Sequence, residues 1–167
     1  MSDKQVRPLL TQHFDARHVD ATLKHFKDAT DKYGREEWDT VALKAGKFVE
    51  AATKALMVYC EKVLPATRKF KASNELKALE NAQINGSTAP DTIRIVIPKA
   101  CMFIYEVVNN RGGRHDAGDI DANSMDAKTI IPLMSWVLAE MVRFCSKGGD
   151  INSAMALIGF YPDITDG

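Results

Sequence analysis

Residues 36–64 read Glu-Glu-Trp-Asp-Thr-Val-Ala-Leu-Lys-Ala-Gly-Lys-Phe-Val-Glu-Ala-Ala-Thr-Lys-Ala-Leu-Met-Val-Tyr-Cys-Glu-Lys-Val-Leu, and their pattern decides the fold class. Trp38, Val41, Ala45, Phe48, Ala52, Leu56, Tyr59 and Val63 follow one another at steps of 3, 4, 3, 4, 4, 3 and 4. A helix turns such a set onto one face; a strand scatters it over two. Pro65 ends the run, because proline has no N–H to give the preceding turn. At ~1.5 Å per residue the helix would be roughly 45 Å long, the main strut of a bundle. Gly46 lies inside it. It marks either the close crossing of a second helix or a propensity cost of about 1 kcal/mol.

The same period continues on both sides. Residues 17–33 place Val19, Leu23, Phe26, Ala29 and Tyr33 on one face, and Gly34 follows as a stop. Downstream, 98–110 is apolar nearly all round, which predicts a central helix with Pro98 in its first turn. Ile93 to Ile97 are β-branched enough for a short strand, but no second strand is evident to pair with them. Ile130, Leu133, Met134, Val137, Met141 and Phe144 predict a helix over 127–146, capped by Asn123 or Ser124 with Asp126 in its first turn. Pro132 requires that helix to start late or to kink. Asp150 caps a last short helix over 151–158, closed by Gly159. Residues 66–90, with Arg68, Lys69, Lys71 and the loop-forming Gly86–Pro90, read as an exposed excursion with a short helix on Leu76 and Leu79. The expected architecture is all-α: an antiparallel four-to-five-helix bundle in a single domain over 1–167. Residues 1–16 are its N-terminal extension and 160–167 an irregular tail. Trp38, Phe48, Leu56, Phe103 and Val137 are its expected core.

Composition bounds the function. The chain has 167 residues, 22 Lys and Arg against 22 Asp and Glu, and 46% hydrophobic residues. That is enough chain for one full core, and it carries no global basic field, so any polyanion must be met by a local patch. No apolar run reaches the ~18 residues of a membrane span, and the N-terminus has no apolar signal core. A cytoplasmic protein without membrane contact is expected. Cys60, Cys101 and Cys145 are far apart and each has apolar neighbours, which predicts three buried thiols and no zinc site or disulfide framework.

Chemistry-bearing residues are few. Asp119-x-Asp121-x-Asn123 begins like a calcium loop, but Ile130 stands where the bidentate Glu is required. His18 and His25 are seven residues apart, too far along a helix to share a metal, and are expected at the surface. No nucleotide loop, zinc-protease motif or serine elbow occurs, and no cofactor or metal is implied. Asn109, Asn110, Arg111, Arg114 and His115 remain. Guanidinium groups grip phosphate, amides position it, and an imidazole can exchange a proton near neutral pH. Metal-independent RNA cleavage needs only those functions. The plainer reading is a helix C-terminus stopped by glycine, with cations near the negative end of its dipole.

The segment Ile104-Tyr-Glu-Val-Val-Asn-Asn-Arg-Gly-Gly-Arg-His115, continuing Asp-Ala-Gly-Asp-Ile-Asp-Ala-Asn-Ser-Met-Asp126-Ala, resembles the signature of HEPN-superfamily domains, above all those of bacterial abortive-infection and other phage-defence proteins. Lys44-Ala-Gly-Lys-Phe-Val-Glu50-Ala and Trp136-Val-Leu-Ala-Glu-Met-Val-Arg143 also look like that group, in order, over roughly residues 18–160. The resemblance implies an all-α bundle and a homodimer whose polar motifs face a shared cleft. It also implies a metal-independent ribonuclease, or an RNA-binding module derived from one, in phage defence, toxin–antitoxin action or stress response. His115 would be the acid–base group, Arg111 and Arg114 the phosphate clamps, and Asn109 and Asn110 the positioning amides. One position departs from the family's pattern. The arginine expected just before the Asn is Val108. Either Arg111 or Arg114 substitutes for it, or catalysis is lost. The alternative is a catalytically inactive helical interaction protein that regulates or scaffolds a partner.

Overall fold

A computed structural model of the chain describes residues 3–111 and 120–159. Among these residues seven helices carry the fold: α1 (Asp3–Leu10), α2 (Ala16–Tyr33), α3 (Trp38–Tyr59), α4 (Ala72–Ala78), α5 (Ile97–Asn110), α6 (Ser124–Cys145) and α7 (Ile151–Ile158). The expected all-α class holds. α3 is the strut: α2, α4, α5 and α6 all pack against it. Its stripe from Val41 through Phe48 to Leu56 is buried, as is Val137 of α6. Gly46 is the close crossing. A Cβ there would lie 3.3 Å from Val108 Cγ1 of α5.

The capping chemistry sets the boundaries. Asp15 accepts from the His18 N–H, Asn123 from the N–H groups of Met125 and Asp126, and Asp150 from that of Ser153, so α2, α6 and α7 each start on a side-chain cap. α6 begins at Ser124, which leaves Pro132 in its interior. Gly159 closes α7 in the left-handed conformation, at φ 68°. Between α2 and α3 the left-handed residue is Glu36 (φ 59°), while Gly34 keeps right-handed φ.

Several expectations are corrected. α3 spans 22 residues, about 33 Å, because Glu61 takes φ 56° and turns the chain before Pro65 is reached. Val63 therefore leaves the stripe and is 91% exposed. The supposed extension 1–16 contains α1, whose Val6 and Leu10 are buried with Phe14, packing against α2 and α6. Phe14 meets Tyr59 at 5.4 Å, and Tyr59 meets Phe144 edge-on at 5.5 Å, which ties the N-terminus to the ends of α3 and α6. The excursion 66–90 is exposed at Arg68, Lys69 and Lys71 but buries Ala72, Leu76, Leu79, Ala82 and Ala89. It also holds a two-residue hairpin, β1 (Gln83–Ile84) with β2 (Ser87–Thr88), turned at Asn85-Gly86 with both residues at positive φ. Ile93 to Val96 belong to a wide helical turn leading into α5, not to a strand. α5 itself is peripheral: Ile97, Cys101, Ile104 and Val108 face inward, while Phe103, expected in the core, is 49% exposed. Trp38 is half-buried, edge-on to Tyr33.

Among the described residues no helix is long and apolar enough to cross a membrane.

Candidate functional site

The polar motif starts on the last turn of α5. Val108 is 4% exposed and fills the crossing at Gly46, so the position before Asn109 points into the core. Asn109 is half-buried and makes no side-chain hydrogen bond among the described residues. Asn110 is exposed; its Nδ2 donates to the Glu106 carbonyl at 2.8 Å and lies 3.3 Å from Glu106 Oε2. The Asn110 side chain is thus folded back on its own helix.

Arg111 leaves the helix with extended backbone and bridges to Ile120, so the chain on either side of 112–119 is held together. Its Nε donates to Asp126 Oδ1 at 3.3 Å and lies 3.2 Å from Oδ2. Asp126 sits in the first turn of α6, where the helix dipole favours a carboxylate. Its Oδ2 is buried with no hydrogen bond of its own among the described residues. The fold thus brings Asn109, Asn110 and Arg111 together, but commits the Arg111 guanidinium to an acid on the neighbouring helix. Arg114 and His115 lie outside the described residues. Close by, Ile120 and Met125 are 53% and 74% exposed.

A second locus has no motif to announce it. α2 and α3 run antiparallel, joined along one edge by the Lys32–Glu37 and Lys44–Asp28 ion pairs, each at 2.6 Å. Beyond those pairs the helices leave a cleft of ≈ 340 Å³, lined by Arg17, His18 and His25 from α2 and by Lys47, Glu50 and Lys54 from α3. Burial holds both imidazoles below their ordinary value; Arg17 and Lys54 add to this at His18, and Lys44, Lys47 and Lys24 at His25, against Asp15 and Asp28 respectively. The histidines are half-buried and not surface residues as expected. His25 Nδ1 is buried without a hydrogen-bond partner among the described residues. The signal was present as two polar sets, 17/18/25 and 47/50/54, each on one face of consecutive helices.

The three cysteines are buried. Burial pushes the Cys60 thiol up to about 11 and those of Cys101 and Cys145 up to about 12, which removes them as nucleophiles at neutral pH. Among the described residues no three His, Cys, Asp or Glu side chains gather as metal ligands. No family model, curated protein or solved structure matches this chain.

Proposed function

We propose that the chain is a HEPN-type helical domain of prokaryotic phage defence or stress response that holds RNA at the end of α5 without cutting it. It is a binding module derived from a metal-independent ribonuclease. The observation that carries the reading is Val108. The residue standing where the HEPN signature has its arginine is a buried contact on Gly46. A valine cannot stabilise the charge that develops on a phosphate under attack. Arg111 is no ready substitute while Asp126 neutralises it. Asn109, Arg114 and His115 remain for binding, with Asn110 beside them.

The domain acts as a homodimer, with the Asn109–His115 segments near the two-fold axis. Val96, on the turn that leads into α5, and Phe103 support this: both are exposed, and Phe103 and Asn110 stand seven residues apart on one face of α5. Pairing of that face in two copies would bring their motifs together. Light scattering at tens of micromolar should give a dimer for wild type and a monomer for Phe103→Ser. A wild-type monomer would remove this part of the reading.

Exposed Ile120 and Met125 favour a second reading, in which the same end of the bundle grips a regulatory protein partner. Incubation with total RNA and with defined tRNA in EDTA separates these readings. Intact RNA retained by the protein supports the binding module. Cleavage leaving 2′,3′-cyclic phosphate ends, lost in His115→Ala, supports an enzyme. No RNA retained, with a protein co-purifying in its place, supports the second reading.

A further inference from the structure

We propose that the cleft between α2 and α3 binds a nucleotide unit, with Arg17, Lys47 and Lys54 holding its phosphate and Glu50 accepting hydrogen bonds from its ribose or base. The inference stands independently of the α5 reading.

Its basis is the pairing state of the side chains. Carboxylates that could neutralise this face are engaged elsewhere: Asp28 with Lys44 at 2.6 Å, Glu37 with Lys32 at 2.6 Å, and Asp20 with Arg7 at 2.7 Å. Asp15 is the cap of α2. Arg17 and Lys47 make no ion pair or side-chain hydrogen bond among the described residues, and neither does Glu50. Lys54 has only the Phe70 ring, 4.5 Å from its Nζ. Three basic side chains and one carboxylate therefore face a common space without a hydrogen-bond partner among the described residues. Ala21 and Ala51 are the other two lining residues, and their small side chains keep that space open.

The mixture of signs selects the ligand class. A bare inorganic anion would be drawn by the cations and repelled by Glu50. A nucleotide offers phosphate oxygens to the cations and hydroxyl or amino donors to the carboxylate, so it satisfies both. A volume of ≈ 340 Å³ lies at the lower end of the ~300–1,000 Å³ typical of small-molecule sites. The unit can be a free mononucleotide or one residue of an RNA strand, because the recognising chemistry is the same.

The experiment is calorimetric titration of the full chain with AMP, with an eight-residue uridine RNA oligomer, and with inorganic phosphate. Two variants report on the cleft. Lys47→Glu reverses one cation, and Ala21→Leu fills the space without changing charge on a good helix former. Both should weaken AMP or the oligomer about tenfold or more with unchanged far-UV circular dichroism, and inorganic phosphate should bind at least about tenfold more weakly than AMP. Binding of AMP as tight as the oligomer identifies a free nucleotide as the source; binding of the oligomer alone identifies RNA. No binding of either, or binding that both variants leave unchanged, overturns the proposal. Retention of long RNA that survives both variants overturns this site while leaving the α5 reading standing.

Discussion

Substituting Val108 by arginine would recreate the residue order of the HEPN signature, and the structure predicts that it damages the fold instead of creating an enzyme. Val108 is 4% exposed on the last turn of α5, and its Cγ1 lies 3.3 Å from where a Cβ on Gly46 would be. Removing the buried valine loses about 1.5–3 kcal/mol of apolar burial. The guanidinium then has no free buried acid to meet, since Asp126 is held by Arg111. A buried unpaired charge costs several kcal/mol, offset in part because the long stem can carry the head toward the helix end. The net loss is about 3–5 kcal/mol, against the ~5–15 kcal/mol that domains of this size possess. At roughly 2–4 °C per kcal/mol, the melting temperature should fall by about 6–20 °C. The same arginine at exposed Asn110 should cost under about 0.5 kcal/mol. Urea and thermal unfolding followed by far-UV circular dichroism, with an RNA cleavage assay in EDTA on the same preparations, checks both halves. A Val108→Arg protein as stable as wild type that cuts RNA to cyclic phosphate ends would refute the packing role and the loss of catalysis together.

Three further outcomes follow from the packing and the titrating groups. Gly46→Ala should gain less than the ~1 kcal/mol of helix propensity because stiff Val108 meets the new methyl; in a Val108→Ala background the gain should be recovered, and a double-mutant cycle in urea reads the coupling. His18 and His25 are held below the usual imidazole value near 6.5, so the unfolded chain binds their protons more readily. Stability should thus be full above about pH 6.5 and fall as pH drops below that value, and a His18→Gln/His25→Gln protein should show a flatter profile there; the loss tied to Asp28, held low by Lys44, belongs to pH below the usual carboxylate value of 3.8. Finally, all three thiols should resist an aromatic disulfide reagent at about pH 8 in the native protein and react at once in denaturant, with Cys101, at the core, the slowest.

The long helices were legible because their signals are local. The stripe of α3 and the caps Asn123 and Asp150 depend on residues within a few turns of one another. The errors arose where tertiary context decides. α1 has eight residues, Pro8 among them, too short for a periodic pattern to stand out, and it becomes a helix by burying Val6 and Leu10. α5 looked central because it is apolar, yet apolar side chains also make up much of any protein's surface, and Phe103 is one of them. The Asn109–Arg111 cluster was visible as a motif, but the Arg111–Asp126 pair spans 15 residues and depends on how α6 is placed against α5. The α2–α3 cleft was hidden for a related reason: His18 comes near Lys54, and His25 near Lys47, only once the antiparallel register of the two helices is set.

The proposed RNA-binding role rests most directly on the end of α5, and equilibrium binding of labelled tRNA in EDTA tests it. Wild type is compared there with an Asn109→Ala/Asn110→Ala protein whose unfolding midpoint is first shown to be within about 1 kcal/mol of wild type. The predicted result is saturable binding of RNA that is recovered intact, weakened about tenfold or more in the double variant. Binding of equal affinity in both proteins, or RNA recovered cut with cyclic phosphate ends, contradicts it.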